Sequence, residues 1–442
     1  MRALRVTLLL RESCLFARSQ FTPRLRTLWR SACLLLIALL AWSLSARAQG
    51  RADLSRLVIV GDSLSAGFQS GSLLDSQQVH GYANLVAQQA GANLNLPLVA
   101  FPGIPNVLQL VSPGPPPVIT MVPGISTGRE NPFLQTFDLG VPGARLHDAL
   151  FAAPNFPIDD LTDLILGLPG LLHVPPVSLS QTGWAQALHP TTIIVWIGNN
   201  DALGAVIAAN PALLTPVASF QSDYKTLMDR LSATGATLVV ANIPDVTVVP
   251  FITSAEQVAQ EFGLPLSTIG PLLGISSGDF VTPDALPLIV ENLNGAISGP
   301  LPGSVVLRAS QIAQIEAAVD SYNAIIAAEA QSHGAALVDV HGFLNVIHGQ
   351  GAVENGRRLT TNFLGGIFSL DGVHPTNTGY AMLANDFIRA LNRQFAAGIP
   401  PVSVATVAQS DPLILPGVGR PPSALTAMSP GMVASLRKAL IH

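Results

Sequence analysis

The chain has 442 residues, 49% hydrophobic and 11% charged, enough for a sizeable core in one large domain or two ordinary ones. Its formal net charge is −5, with no Lys/Arg run and no basic patch, which speaks against nucleic-acid binding. Both cysteines, Cys14 and Cys33, stand near the start, so the chain beyond them has no disulfide, cysteine-held metal or thiol nucleophile.

The first element is a leader. Arg24, Arg26 and Arg30 precede the apolar run Ala32–Leu44, and Ala46 and Ala48 form an A-x-A exit. The run is too short to span roughly 30 Å of hydrocarbon comfortably. Charged start, short apolar middle and small-residue exit describe a secretory signal peptide over residues 1–48, with an uncleaved anchor as the competing reading. Cys33 stands at the front of the run and not at its end, which argues against lipoprotein attachment. The leader holds 8 of the 22 basic residues and one of the 27 acids, leaving 14 against 26, a net of −12. An acidic, exported protein, periplasmic or extracellular, is expected, with no stable membrane span once the leader is removed.

Beyond the leader, short apolar runs alternate with helical patterns. "LVIV" (57–60), closed by Gly61, reads as a buried strand. Residues 97–135 are dense in Pro and Gly and lack a period, as expected of an insert. "DLGVPGARLHDAL" (138–150) sets two glycines before a helix. "TTIIVWIG" (191–198) is a β-branched strand that runs into "WIGNNDAL". Phe220, Tyr224, Leu227 and Leu231 share a helical face that stops at Gly235, and "ATLVVANIPD" (236–245) is the third strand. Residues 247–303 form a second long insert, with turn signals "SSGD" and "SGPLPG"; both inserts are candidate lids or plain surface decoration. Ser310 is the expected N-cap of a helix carrying Ile312, Ile315, Val319, Tyr322 and Ile326, ahead of the fourth strand "AALVDV" (335–340). The last clear helix carries Tyr380, Leu383, Phe387, Leu391 and Phe395. The Pro-rich stretch 398–442 reads as a flexible tail. This alternation implies a parallel sheet covered on both faces, an α/β sandwich.

In such sheets ligands sit at the carboxyl ends of the strands. Ser63 follows the first strand within Gly61-Asp62-Ser63-Leu64, although a Gly-Asp-Ser turn on its own is more often structural. Asn199, Asn200 and Asp201 follow the second strand, as helix caps or with one Asn amide as an oxyanion donor. Asp371 and His374 are three residues apart before a helix, a spacing that lets the carboxylate meet one imidazole nitrogen while the other faces outward. An acid that orients His and stabilises its protonated form is what a general base for serine needs. His189 and His341 lack an acid at that spacing, and no H-E-x-x-H or comparable cluster suggests a metal site.

Taken together, these blocks resemble the SGNH hydrolase superfamily, the GDSL-type lipases and esterases, in that family's order over roughly 57–395. The resemblance implies a three-layer α/β/α sandwich, flavodoxin-like, over residues 49–397, with inserts near 97–135 and 247–303. It implies Ser63 as nucleophile, with Asp371 and His374 of Asp371-Gly372-Val373-His374-Pro375 completing a triad. The backbone N–H groups of Ser63 and Gly143 and the Asn200 side chain would form the oxyanion hole. Asp138 stands where the family often has Asn, and Arg145 where Thr or Ser is common. The expected activity is hydrolysis of a small-molecule or lipid-like ester through an acyl-enzyme, by a monomer, with no cofactor and no metal. A carbohydrate O-acetylesterase and a silent envelope binding protein are the alternatives. The rarity of aromatic residues speaks slightly against a sugar platform, and the apolar inserts mildly favour a lipid-like substrate.

Overall fold

A computed structural model describes residues 52–114, 116–415 and 422–441. The expected signal peptide, both cysteines and the cleavage site lie outside the described residues. Four parallel strands form the central sheet: β1 (Leu57–Gly61), β2 (Thr192–Trp196), β3 (Thr237–Ala241) and β4 (Ala336–Val338), in spatial order β1-β2-β3-β4. β1 and β2 are buried at every position, as strands covered on both faces must be. On the free side of β1 runs the segment around Asp138. Ile59 donates to the Phe137 carbonyl (2.9 Å), and Leu139 donates to the Ile59 carbonyl (3.0 Å). The glycine block is thereby carried to the same sheet end as Ser63.

Helices cover the sheet. α1 (Tyr82–Gln89) packs against α6 (Asn377–Phe395), with the Tyr82 and Phe387 rings stacked at 4.3 Å and Tyr82 edge-on to Trp196 at 5.2 Å. α3 (Val217–Ser232) packs against α4 (Ala309–Ser332), where Phe220 stacks on Tyr322 at 4.2 Å. The residues expected on these helical faces are the buried ones. α2 (Asn200–Ile207) begins directly after β2, and α5 (Val340–Gln350) follows β4. The three-layer α/β/α sandwich expected from the alternation is what the chain forms.

Two local expectations differ from the structure. α4 starts at Ala309 and not after Ser310, because the Gln311 side chain takes the Arg308 N–H (2.8 Å) and starts the turn one residue pair earlier. Residues 398–415 and 422–441 are also not the irregular tail expected from their proline content. α7 (Val404–Ser410) and α8 (Pro430–Leu440) form there, and Met428, Val433 and Leu436 join the main core. Asp411 explains part of the docking: its Oδ2 accepts from the Thr378 N–H (2.8 Å) and hydroxyl (2.7 Å) in the first turn of α6. An acid at a helix N-terminus satisfies a donor that the helix itself cannot.

The inserts are folded too. In 97–135, Leu108–Ser112 and Val118–Met121 pair as an antiparallel ribbon. In 247–303, short helices and the strands Thr253–Ser254 and Phe280–Val281, the latter paired with Val306–Leu307 just beyond, enclose a separate core that includes Val258, Ile269, Leu273 and Ile289. Among the described residues no helix is long and apolar enough to cross a membrane.

Candidate active site

The strand ends that hold the site are locked in register, Gly61 lying opposite Trp196. Two residues past Gly61, the buried Ser63 places its Oγ 2.8 Å from His374 Nε2. On the other side of the ring, His374 Nδ1 lies 3.0 Å from Asp371 Oδ2. All three side chains are at least 98% buried, with relative exposures of 2%, 0% and 0%.

The turn that delivers His374 is built by its own acid. Asp371 Oδ1 accepts from the backbone N–H groups of Val373 (2.9 Å) and His374 (2.8 Å), and more loosely from the Ser369 hydroxyl (3.3 Å). Gly71 donates to Oδ2 at 2.7 Å. Gly372 between them has φ +69°, and a Cβ there would stand 3.0 Å from the Phe251 backbone nitrogen, so only glycine fits comfortably. Burial pushes the Asp371 carboxyl up, but the charge and hydrogen bond of His374 and the backbone donors outweigh it, and its pKa lies below the ordinary value. A carboxylate that stays ionised can hold the imidazole in one orientation. Phe68 closes over the ring, with centroids 4.7 Å apart, and the Tyr380 hydroxyl donates to the Phe68 carbonyl at 2.7 Å.

Neither Asn after β2 caps α2 with its side chain. Asn199 instead donates to Asp62 Oδ2 (2.8 Å), while Leu64 donates to Oδ1 (3.0 Å). This ties the serine turn to the Asn turn. Asn200 donates one Nδ2–H to the Ala144 carbonyl at 2.9 Å, and its buried Oδ1 has no partner. That bond brings the glycine block to the site: Gly143 has φ +82°, and the neighbouring Asp201 carboxylate accepts from the Leu146 N–H at 2.9 Å. Ser63, Asn200 and His374 line one cavity of about 40 Å³; Gly143 stands off its wall. Asp62, Phe68, Gly71 and Ser369 carry this arrangement without having been singled out. Asp62 was legible as a member of the serine block, whereas the others are joined to it only by the fold.

Asp138, the departure from Asn, is buried, with the Gly140 N–H on Oδ1 at 3.0 Å. Burial, only partly offset by that donor, pushes its pKa up to about 7. Protonated, it presents an O–H where an Asn would present an N–H. The folded state holds this proton to about pH 7, whereas the ordinary value is 3.8. Folding therefore favours the protonated form, and stability falls as pH rises between those two values. Asp138→Asn removes the penalty. We expect it to raise Tm at pH 8 by roughly 2 °C or more, with little change at pH 4. Calorimetry at the two pH values checks this, and an equal shift at both would contradict it.

Among the described residues, Asp159, Asp160 and Asp163 bring carboxylate oxygens within 4.8 Å of one another. Two of the three accept from local N–H groups, Asp163 Oδ1 from Asn155 N (2.7 Å) and Asp160 Oδ1 from Asp163 N (2.8 Å).

The family described as GDSL-like Lipase/Acylhydrolase matches residues 57–387. No curated protein matches the chain. Solved structures similar to it include the psychrotrophic esterase EstA from a Pseudoalteromonas species, 11% identical over 77% of this chain and 97% of that one, TM-score 0.34. A putative GDSL-like lipase from Parabacteroides merdae is 11% identical over 79% and 100%, TM-score 0.36. An extracellular lipase from Streptomyces rimosus is 17% identical over 76% and 98%, TM-score 0.33.

Proposed function

Because the chain belongs to the GDSL-like lipase/acylhydrolase family and is a carboxylic ester hydrolase, we propose that Ser63, His374 and Asp371 carry the reaction as a triad. The observation that carries this reading is the unbroken hydrogen-bonded line Ser63 Oγ–His374–Asp371, buried at a cavity wall. His374 Nε2 takes the hydroxyl proton as Ser63 Oγ attacks the ester carbonyl carbon. The negative charge on the carbonyl oxygen meets the N–H groups of Ser63 and Gly143 and the second N–H of Asn200. His374 then gives its proton to the departing alcohol, and water cleaves the acyl-enzyme by the same route. Residues 1–48 direct export, so the reaction takes place outside the cytoplasm.

The cavity beside Ser63 is otherwise apolar, walled by Trp196, Leu203, Val249, Leu344 and Phe368, and holds about three water-sized groups. It accommodates a short acyl chain. A fluorophosphonate probe tests the nucleophile directly. The native protein is expected to label at Ser63 and the heat-denatured protein to stay unlabelled; a native protein that resists the probe would argue against the reading. Asn200→Ala is expected to lower kcat roughly a hundredfold at similar KM, since the lost donor acts on charge that develops only in the transition state. Steady-state kinetics on p-nitrophenyl acetate measure this, and a pure KM effect would place Asn200 outside the oxyanion hole.

A further inference from the structure

A second, far larger cavity of about 590 Å³ adjoins the first, and the two share Asp245 and Val249 as common wall. Its volume lies in the range of pockets that take a whole small molecule. Its walls come from the 247–303 insert, from α4 through Glu316, from α5 through Asn345 and His348, and from Thr361–Phe363. The chemistry of the two cavities differs. The small one is apolar apart from the site residues and Asp245. The large one mixes apolar residues such as Val248, Ile252 and Phe280 with carboxamides at Gln257, Gln260, Asn345 and Asn362, with Asp245, Glu261 and Glu316 as its carboxylates and, among the described residues, no Lys or Arg on its wall.

We propose that this groove is the subsite for the alcohol half of the ester and takes an uncharged, hydroxyl-rich alcohol whose short acyl group fills the small cavity. The inference rests on Ser63 being the nucleophile. An ester bound at Ser63 must send its acyl and alcohol halves into different spaces, and of these two cavities the larger has room for more than a short chain. A hydrocarbon alcohol there would strip water from amides and carboxylates without replacing those hydrogen bonds. A hydroxyl both donates and accepts, as the mixed wall requires, whereas an ammonium group only donates and leaves the amide N–H groups unmet. A phosphate or carboxylate on the alcohol would face Asp245, Glu261 and Glu316 with no counter-cation among the described residues. Partial burial, then Asp245 and Asp320, push the Glu316 carboxyl up, as expected where neighbouring charges are of its own sign. The apolar character of the inserts, which favours a lipid-like ester at the level of sequence, reaches this wall through Val248, Ile252 and Phe280, which can meet the apolar face of a polyol while the amides and carboxylates meet its hydroxyls.

The test compares acetate esters that differ only in the alcohol: 6-O-acetylglucose, monoacetylglycerol, ethyl acetate, acetylcholine and O-acetylglycolate. The expected order of kcat/KM puts the two hydroxyl-rich esters at least about tenfold above ethyl acetate and O-acetylglycolate last; glucose against glycerol distinguishes a sugar from a small polyol. Acetylcholine ranking first would overturn the inference in favour of a cationic alcohol. Glu316 and Asn345 are exposed helical positions, so the Glu316→Ala/Asn345→Ala protein folds. In it the ratio of kcat/KM for 6-O-acetylglucose to that for p-nitrophenyl acetate should fall about tenfold, mostly through KM. Glu316→Lys should raise O-acetylglycolate relative to 6-O-acetylglucose. A wild type that hydrolyses p-nitrophenyl acetate but whose ratios are untouched by these changes refutes the groove alone. A wild type with no turnover of any ester and no fluorophosphonate labelling refutes the nucleophile.

Discussion

Ser63→Ala should lower kcat for p-nitrophenyl butyrate by about 10⁴-fold or more. The loss is that large because alanine removes the atom to which the acyl group would be joined, and His374 Nε2, 2.8 Å from Oγ in the wild type, has nothing left to deprotonate. What survives is binding and the remaining oxyanion donors acting on water. The fold should hold, since Oγ has its hydrogen bond to one ring nitrogen and the backbone of the turn is fixed by others. The Ser63 carbonyl accepts from Phe68 at 3.0 Å, and the Asp62 carbonyl accepts from Ala66 at 3.0 Å. Turnover and circular dichroism together decide the matter: a folded Ser63→Ala protein with activity within tenfold of wild type would refute the assignment.

Asp371→Asn should be nearly as damaging, with kcat lowered about 10⁴-fold, and for a different reason. The hydrogen-bond neighbours of this carboxylate all donate to it: Gly71, Val373 and His374 through N–H groups, Ser369 through its hydroxyl, and the imidazole through Nδ1. An amide must turn its NH₂ toward one oxygen position or the other. On one side it meets the backbone donors of its own turn; on the other it meets Gly71 and forces the imidazole to present a lone pair, leaving the proton on Nε2, where the base should be free. The variant therefore loses both the charge and the tautomer. The stability change has a definite sign. Because the folded pKa of Asp371 is depressed, its contribution is present above the ordinary value of 3.8 and is lost as pH falls through the folded value. Asp371→Asn should thus cost Tm at pH 7 and cost less near pH 3. A variant that keeps wild-type kcat, or whose Tm deficit grows on acidification, would contradict this account.

Much of this was legible from residue patterns because parallel α/β chains put their chemistry at strand ends. Ser63 and Asn200 each follow an apolar run closed by glycine, and Asp371 and His374 precede a helix whose face, Tyr380 to Phe395, has a plain period. The edge segment beside β1 was not legible as a strand, since residues 137–141 are short and glycine-bearing and are held by a few bonds to Ile59, Gly61 and Asn95. The docking of residues 398–415 and 422–441 was hidden for a similar reason. Proline content reports on local backbone freedom, whereas these residues are fixed by distant partners: Asp411 by Thr378, and Leu425 by the insert's core. Asp62 as a brace was hidden because its partner Asn199 lies in another motif, read there as a helix cap.

The bond between Asp411 and Thr378 also bears on the order in which the site comes into being. His374 is held by a turn that leads directly into α6, and the first turn of α6 is closed by an acid that is synthesised after it. A growing polypeptide that already contains Ser63, Asp371 and His374 still lacks Asp411 and the α8 residues Val433 and Leu436 that seat the end of the chain on the core. The finished geometry therefore depends on residues made after the triad, and the stretch carrying Asp411, Val433 and Leu436 serves as a closing piece of its assembly.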